Sequence, residues 1–292
     1  MKNILLVYFS PSGTTEKIIK AIAEGYGAEA GSGNVSITEM NVTTKKFGQT
    51  AHTLTGAVND AIGSADMVIF GAPVYANKLP DLFLEMAEGF TREGEEPLPC
   101  VCIAVYGNVN KGYAQTQMRD MFHKRGFITI ASGAFVGEHS FSHEGYEIAK
   151  GRPDEEDLIK AKTFGSEIYH LCKYHKDTGE AFKSVQLPYE EVPASLEKPE
   201  KASERTINPF VETPVIDKSL CNSCGMCIYK CPPGAIDRVS YAISEDKCIK
   251  CFACVRVCAK KARKITLRNE ELFRNRLMLK GEKRREPEWY TG

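Results

Sequence analysis

The sequence predicts an α/β protein with two unlike domains: a doubly wound sheet of five parallel strands, then a small cysteine-rich α+β domain. Its 292 residues are enough for about two domains. Strand-like and helix-like segments alternate over residues 1–176, and eight of the eleven cysteines form two evenly spaced groups near the C-terminus. Charged residues make up 26% and hydrophobic residues 42%, which excludes wholesale disorder and a membrane bundle.

The first 176 residues contain the predicted sheet. Asn3–Phe9 is a short apolar run that ends at a Ser/Pro/Gly turn, and Thr14–Tyr26 then carries apolar residues at helical spacing. Further strands are predicted at 35–40, 67–71, 100–106 and 127–135, and helices at 54–62, 80–89, 113–124 and 154–173. Such alternation predicts a parallel sheet covered on both faces, with ligands bound beyond the carboxyl ends of the strands. The loops after the first, third and fourth strands are therefore the candidate ligand loops.

Three segments follow this domain. Residues 177–213 are rich in charge and proline, which predicts an extended linker. Residues 214–267 contain the two cysteine groups, and residues 268–292 form a basic extension with a predicted helix at 270–280. Three other cysteines lie in apolar strand or helix patterns and are predicted to be buried: Cys100, Cys102 and Cys172.

The small domain carries two copies of the motif C-x2-C-x2-C-x3-C. Every cysteine of the first copy recurs 27 residues later, which indicates an internal duplication. The spacing is the one by which bacterial two-cluster ferredoxins hold Fe4S4 clusters. Residues 214–267 resemble that family, including Gly225 inside the first motif and the run Gly234-Ala235-Ile236 after it.

Two interlocked cluster sites are expected from this motif. Three cysteines at steps of three surround one cluster, and the fourth projects toward the other cluster. One site is predicted to contain Cys221, Cys224, Cys227 and Cys258, and the other Cys248, Cys251, Cys254 and Cys231. Two four-cysteine zinc sites are the alternative, although zinc sites normally use two separated C-x2-C pairs.

The second motif departs from the family at one position. Ala259, rather than proline, follows Cys258, and two lysines come after it. The backbone N–H of Ala259 and the positive charge of the lysines favour the reduced, more negative cluster. We therefore expect the cluster that holds Cys258 to have the higher reduction potential.

A loop rich in hydroxyl groups connects the first strand to the first helix. It contains Ser10, Ser12, Gly13, Thr14 and Thr15. Hydroxyls and N–H groups that converge at a helix N-terminus bind a phosphate dianion. A plain helix cap is the alternative, but one Ser or Thr is sufficient for a cap. The loop has neither G-x-G-x-x-G nor the lysine of G-x-x-x-x-G-K-S/T, which argues against a dinucleotide or an NTP.

The loops after the third and fourth strands each offer an aromatic ring beside small residues and amides. A flat, heteroatom-rich ring could lie between them, although either tyrosine alone is more often a packed surface aromatic. The residues are Pro73, Val74, Tyr75, Ala76 and Asn77 in one loop and Tyr106, Gly107 and Asn108 in the other.

The motifs S-x-S-G-T-T, P-V-Y-A-N and V-Y-G-N make residues 1–173 similar to flavodoxin. The resemblance implies a flavodoxin-like fold in which the first loop holds the phosphate of FMN and the other two loops enclose its isoalloxazine ring. FAD is the second choice of cofactor. Many flavodoxins have a tryptophan in this pocket, whereas the only tryptophan here, Trp289, lies outside the domain in sequence.

The whole chain resembles the flavodoxin-ferredoxin fusion proteins of anaerobic microbes. An Fe4S4 cluster passes one electron at a time and a flavin holds one or two, so two clusters are sufficient to reduce one FMN fully. We expect an electron-transfer protein that passes low-potential electrons between its two clusters and FMN, and on to or from a redox partner. The alternative is an FMN-dependent reductase of a small acceptor, such as a quinone or a nitro compound. An interaction module without electron flow is a third interpretation.

The net charge of zero conceals two unlike halves. Residues 1–215 have 21 basic and 29 acidic side chains, a net charge of −8, and residues 216–292 have 17 and 9, a net charge of +8. We expect the two parts to dock electrostatically, either in cis or in a homodimer. Nucleic acid is the alternative partner of the basic part, but no recognition motif accompanies the charges.

No run approaches the ~20 apolar residues of a membrane helix, and the N-terminus lacks the pattern of a secretory signal, so we expect a cytoplasmic protein without a membrane span. Clustered cysteines in a reducing cytosol bind metal more often than they form disulfides.

His139 and His143, after the last strand, are candidates for delivering a proton to reduced flavin. A polar loop whose side chains bond its own backbone is the simpler interpretation.

Overall fold

The computed structural model describes residues 1–44, 51–188, 191–194 and 208–292. Its N-terminal part contains five parallel strands: β1 Asn3–Tyr8, β2 Ser36–Asn41, β3 Met67–Pro73, β4 Leu98–Tyr106 and β5 Phe127–Val136. They lie in the order β2-β1-β3-β4-β5. This is the flavodoxin-like strand order of a doubly wound sheet, so the predicted fold class is confirmed.

Five helices cover the two faces of the sheet: α1 Thr14–Ala30, α2 Ala51–Gly63, α3 Asp81–Ala87, α4 Ala114–His123 and α5 Glu155–Thr178. The backbones of helices α1 and α5 approach each other closely at Gly165, where a Cβ would lie only 2.0 Å from the carbonyl oxygen of Ile22. Every residue of β3 is buried, as expected for a central strand with helices on both faces. The predicted burial of three cysteines is confirmed: Cys100, Cys102 and Cys172 are all buried.

A sixth strand, which the sequence patterns do not predict, comes from the C-terminal extension. Strand β6, Glu288–Thr291, pairs antiparallel with β5 and covers its free edge. The Trp289 ring lies 6.1 Å from that of Phe135, and its indole N–H donates to Glu167 at 2.7 Å. Trp289 is therefore part of the packing of the N-terminal domain, although sequence order places it outside.

The small domain contains two one-turn helices, α6 Met226–Tyr229 and α7 Ala253–Arg256. Its backbone shows the same duplication as its cysteines. Ser223, Gly225 and Gly234 have φ values of 56°, 74° and 63°, and the residues 27 positions later, Lys250, Phe252 and Lys261, have 52°, 56° and 53°. The two repeats thus share their turns as well as their cysteine spacing.

The extension begins with a helix, as predicted for residues 270–280. Three segments follow one another: α8 Glu270–Phe273, a π-helical turn Arg274–Met278, and α9 Leu279–Gly281. Phe273 is fully buried, and its ring lies 5.8 Å from that of Tyr146 in the N-terminal domain. The helix therefore packs on the loop that follows β5.

The predicted linker is described only in part. After α5 the chain stays on the sheet, because Val185 is buried and its N–H donates to the carbonyl of Thr129 at 2.8 Å. Residues 189–190 and 195–207 lie outside the described residues, so the linker prediction for them stays a prediction. None of the helices in the described part of the chain combines the length and the apolarity needed to cross a bilayer.

Candidate functional site

The eight motif cysteines line two separate cavities. Cavity A is lined by Cys221, Cys224, Cys227 and Cys258. Cavity B is lined by Cys231, Cys248, Cys251 and Cys254. Each cavity takes three cysteines from one repeat and the fourth from the other repeat. This grouping is what an interlocked pair of clusters requires.

The cavities suit a multi-atom cluster better than a single metal ion. A zinc ion would draw four sulfurs to about 2.3 Å from one point. Among the described residues, no three Cys, His, Asp or Glu side chains converge on the position of one metal ion. The donor set of four cysteines in each cavity, shared between the repeats, therefore fits two Fe4S4 clusters.

Backbone N–H groups of described residues donate to three of the cysteine sulfurs, including that of Ser223 to Cys221 Sγ at 3.4 Å. The N–H of Ala235 donates to Cys231 Sγ at 3.2 Å, and the N–H of Ala262 donates to Cys258 Sγ at 3.3 Å. These two bonds are again related by 27 residues. Hydrogen bonds to sulfur stabilise negative charge on a cluster and raise its reduction potential.

The two cavities differ in their exposure. Cys251 and Cys254 are 7% and 8% exposed, whereas Cys224 of cavity A is an exposed residue. Burial raises the pKa of the Cys254 thiol to about 12, and it raises the pKa of Cys251 further. Deprotonation of these thiols must therefore accompany metal binding.

Cavity B lies against the N-terminal domain. The ring of Phe252, which is 1% exposed, lies edge-on to the ring of Phe141 at 5.5 Å. The guanidinium of Arg256 donates to the carbonyl oxygen of His139 at 2.9 Å and lies 3.5 Å from the carboxylate of Glu138. These contacts join the second repeat to the loop after β5.

The loop after β3 is also close to cavity B. Ile249, which lines that cavity, packs on the apolar layer of the sheet that contains Leu79 and Phe83. Burial raises the pKa of Tyr75 well above its usual range, with a further contribution from the charge of Cys251. Tyr75 and Cys251 are therefore within electrostatic range of each other.

The five predicted phosphate-loop residues come together at the start of α1. Gly13 has a left-handed φ of 83°, and its N–H donates to the carbonyl of Ser10 at 3.2 Å. The Ser10 hydroxyl accepts the N–H of Glu16 at 3.0 Å, and the hydroxyls of Ser12 and Thr14 are 3.2 Å apart. The N–H of Ser10 donates to Thr43 Oγ1 at 2.7 Å, and the sequence did not predict this contact.

Thr15 carries the clearest sign of a ligand in this loop. The residue is 1% exposed, and its Oγ1 has no hydrogen-bond partner among the described residues. Buried hydroxyls are normally paired, so an unpaired one at a helix N-terminus fits a bound phosphate better than a plain cap.

The other two predicted loops meet at the same edge of the sheet. The N–H of Val74 donates to the carbonyl of Val105 at 2.9 Å, and the N–H of Tyr113 donates to the carbonyl of Asn77 at 2.8 Å. Gly137 bonds the carbonyl of Tyr106, and a Cβ on Gly137 would lie 2.8 Å from Thr14. All the predicted flavin-loop residues therefore lie along one edge: Pro73, Val74, Tyr75, Ala76, Asn77, Tyr106, Gly107 and Asn108.

Asn108 has a structural partner that no sequence pattern predicts. Its side-chain amide donates to the carbonyls of Gly281 at 2.6 Å and Lys283 at 3.0 Å, and its Oδ1 accepts the N–H of Arg285 at 3.0 Å. The residue is 2% exposed. The side chain of Asn108 thus anchors the C-terminal extension.

The two candidate histidines bond their own loop. His139 Nδ1 accepts the N–H of Phe141 at 3.1 Å, and His143 Nδ1 lies 2.8 Å from the carbonyl oxygen of Phe141. Burial, with a smaller effect of the Arg256 charge, lowers the pKa of His139 to about 4. These contacts match the simpler interpretation of a polar loop.

Phe252 and Arg256 are the interface residues that sequence reasoning missed. They stand where the first repeat has Gly225 and Tyr229. The duplication does not single them out, because all seven non-cysteine positions within the two motifs differ between the repeats. Their contact with the N-terminal domain is visible only in the structure.

Comparison with known proteins identifies the small domain. The family described as "4Fe-4S dicluster domain" matches residues 213–259. "Pyruvate synthase subunit PorD" of Methanothermobacter marburgensis is 38% identical over 73 residues, which are 25% of this chain and 83% of that protein. A polyferredoxin-like protein of Methanocaldococcus jannaschii is 44% identical over 50 residues, 17% of this chain and 22% of that protein.

Solved structures resemble the larger domain. A flavodoxin from the domain Archaea has a TM-score of 0.41 and 18% identity over 59% of this chain and 99% of that chain. An NADH:FMN oxidoreductase in its apo form has a TM-score of 0.44 and 14% identity over 59% of this chain and 90% of that chain. The fold assignment itself rests on the strand order within the sheet.

Proposed function

The chain belongs to the 4Fe-4S dicluster ferredoxins through its C-terminal domain, which is joined to a flavodoxin-like domain, and we propose that it passes low-potential electrons between two Fe4S4 clusters and FMN. A redox protein supplies or receives these electrons. The observation that carries the proposal is the packing of cavity B on the N-terminal domain: Phe252 and Arg256 contact the loop after β5, and Ile249 packs on the same apolar layer as Val74 in the loop after β3.

The cluster ligands follow from the two cavities. In this proposal, Cys221, Cys224, Cys227 and Cys258 hold cluster A, and Cys248, Cys251, Cys254 and Cys231 hold cluster B. The backbone N–H groups of Ala235 and Ala262 stabilise the thiolates of Cys231 and Cys258. Burial of Cys251 and Cys254 keeps water away from cluster B.

The FMN ligands follow from the sheet edge. Ser10, Ser12, Gly13, Thr14 and Thr15 hold the phosphate at the start of α1, where the unpaired Thr15 hydroxyl supports this role. The loops that contain Tyr75 and Tyr106 flank the ring. When bound, each cluster exchanges one electron and FMN exchanges one or two. Phe252 and Arg256 fix the distance between the two domains, which decides whether electrons can pass between them.

The reductase alternative finds no comparable support. Direct turnover of a quinone or a nitro compound requires an open approach to the flavin loops. Asn108, in the loop after β4, is 2% exposed and is tied to the C-terminal extension, whereas Ala76 and Asn77 in the loop after β3 are exposed. The extension therefore covers one of the two flavin loops.

Oxygen-free purification with iron, sulfide and flavin analysis tests the proposed function. We expect eight iron atoms, eight sulfides and one FMN per chain, from two Fe4S4 clusters and one flavin. In a stepwise reductive titration, the flavin absorbance should then respond to electrons that enter through the clusters. Cluster-loaded protein that binds no flavin, or cluster reduction that never changes the flavin spectrum, would contradict the proposal.

Mutation of one ligand in each cavity gives a sharper test. Cys251→Ser alters cavity B, and Cys224→Ser alters the equivalent position of cavity A. We expect Cys251→Ser to slow electron transfer to the flavin directly, because cavity B adjoins the flavin loops. Flash photoreduction of FMN in Cys224→Ser should still be followed by rapid electron exchange with cluster B.

A further inference from the structure

The two repeats of the small domain present equivalent faces to different surroundings. Face B consists of Cys251, Phe252, Ala253 and Arg256, and face A consists of the residues 27 positions earlier, Cys224, Gly225, Met226 and Tyr229. Face B is covered by the N-terminal domain, since Phe252 and Ala253 are 1% and 3% exposed. Each face adjoins one cysteine-lined cavity.

Face A is apolar and exposed. Met226 is 42% exposed and Tyr229 is 61% exposed, and they lie three residues apart on α6, so they share one side of that helix. Leu220, next to Cys221, adds a third large apolar side chain at 44% exposure. Met226 also lines cavity A, so a partner that covers this face would reach the cluster ligands directly.

Two lysines lie at the rim of face A. Lys230 lies over the ring of Tyr229 at 5.7 Å, and Lys260 lines cavity A. Asp217 and Asp237 of the same domain keep their negative charge, because the N–H groups of Ser219 and Ser240 that they accept are neutral. Residues 216–267 have 10 basic and 4 acidic side chains, a net charge of +6, so face A belongs to a basic domain.

We propose that face A is the docking surface for an acidic one-electron redox protein that exchanges electrons with the cluster in cavity A. The inference rests on the proposed function and names the partner class of that electron path. Its template lies within the chain, because face B already binds an acidic domain, with an apolar centre at Phe252 and the ion pair of Arg256 with Glu138. Residues 1–176, the domain that face B contacts, have 17 basic and 21 acidic side chains, a net charge of −4.

The test compares the full-length, cofactor-loaded chain with the double variant Leu220→Gln/Tyr229→Gln, because neither residue lines cavity A. Tyr174→Gln is the matched control, because Tyr174 is 51% exposed on α5 in the other domain. The probe is a purified acidic two-cluster ferredoxin, with binding measured by calorimetry and electron exchange by stopped flow. Reduced methyl viologen, a small cation, serves as a donor that needs no protein docking.

We expect the double variant to raise the Kd for the acidic ferredoxin at least tenfold and to slow electron exchange by a similar factor. The control variant and the methyl viologen rate should remain at wild-type values, with iron content and cluster spectra unchanged. In wild type, raising the ionic strength should weaken ferredoxin binding, because the lysine rim supplies part of the attraction.

Unchanged ferredoxin affinity in the double variant would overturn the inference. The inference would also be overturned if the double variant changed only the self-association of the chain, because a second copy of this chain would then be the partner that binds face A. Failure of the proposed function has a different signature: methyl viologen would reduce the clusters while the flavin spectrum stays constant, whether or not the ferredoxin binds.

Discussion

Gly225 and Phe252 occupy equivalent positions of the two repeats, and both have left-handed backbone, with φ values of 74° and 56°. Glycine adopts this conformation freely, whereas an L-residue with a side chain incurs a cost of roughly 1–2 kcal/mol. Phe252 is 1% exposed and packs on Phe141, and burial of a phenylalanine contributes about 1.5–3 kcal/mol. Contact with the N-terminal domain therefore offsets the backbone strain.

The first prediction compares two substitutions of Phe252. Both Phe252→Ala and Phe252→Gly remove the ring at the interface, but only glycine also relieves the left-handed strain. We expect Phe252→Gly to be about 1 kcal/mol more stable than Phe252→Ala. Denaturation of the two variants, followed by circular dichroism, measures this difference. Equal stabilities would show that the left-handed backbone of Phe252 is not strained.

The second prediction concerns the crossed cysteines. Cys258 belongs to the second repeat in sequence but lines cavity A, and Cys231 belongs to the first repeat but lines cavity B. We expect Cys258→Ser to shift the spectrum of the cluster whose other ligands lie in the first repeat, and Cys231→Ser to shift the other cluster. EPR-monitored redox titration separates the two signals. The Cys224→Ser variant identifies the signal of the cluster in cavity A, and Cys251→Ser identifies that of the cluster in cavity B. If the Cys258→Ser spectrum matched that of Cys251→Ser, Cys258 would not be a ligand in cavity A.

Much of the architecture was predictable because it follows from local patterns. The apolar run from Cys100 to Tyr106 predicts a strand, and β4 extends over Leu98–Tyr106. The predicted helix at 154–173 is observed as Glu155–Thr178, and its N-terminus is marked by Asp154, whose side chain accepts the N–H of Asp157. Apolar periodicity and capping groups act over a few residues, so a single sequence reveals them.

The rest depends on contacts between distant segments. Strand β6 has four residues, and it exists because the edge of β5 is available to it, far away in the sequence. The bonds of Asn108 to Gly281 and Lys283 span more than 170 residues. No local pattern distinguishes an asparagine that binds a ligand from one that anchors a remote segment, so the sequence could not assign the Asn108 side chain.

The third prediction concerns the reduction potential of cluster A. The sulfurs of Cys231 and Cys258 receive equivalent N–H bonds, from Ala235 and Ala262, so these bonds do not distinguish the clusters. Ala259, which stands where the first repeat has Pro232, adds a backbone N–H. We expect Ala259→Pro to lower the potential of cluster A, and a decrease of 59 mV would be a tenfold change in a one-electron equilibrium. The potential of cluster B is the internal control in the same EPR titration, and an unchanged or higher potential for cluster A would refute the assignment.

The fourth prediction assigns the unpaired hydroxyl of Thr15. Thr15→Val keeps the shape of the side chain and removes Oγ1, which has no protein partner among the described residues. We expect little loss of stability but about tenfold weaker FMN binding, because one hydrogen bond to a charged group contributes roughly 1.5 kcal/mol. Fluorescence quenching of FMN by the apo-flavin protein measures the affinity. Riboflavin, which lacks the phosphate, is the control ligand, and an equal effect on riboflavin would place Thr15 away from the phosphate.

The last prediction concerns acid sensitivity. Burial lowers the pKa of His139 to about 4 in the folded protein, and an unfolded histidine titrates near 6.5. Between these values the unfolded chain binds more protons than the folded chain, so stability rises with pH across the window and falls on acidification. From pH 7.5 to 5.5 we expect His139 to account for a loss of roughly 1 kcal/mol or slightly more.

His139→Gln should abolish this part of the pH dependence, because glutamine does not titrate. The stability of each variant at pH 7.5 is the reference for its own profile, because an unfolded histidine with a pKa near 6.5 is mostly neutral there. Denaturation midpoints measured at several pH values between 5.5 and 7.5 provide the comparison. The Arg256 guanidinium donates to the backbone carbonyl of His139. Protonation of the His139 ring would therefore place a second positive charge at the contact between the domains. If wild type and His139→Gln lost the same stability on acidification, the pKa of His139 would be the same in the folded and the unfolded chain, which would contradict the prediction.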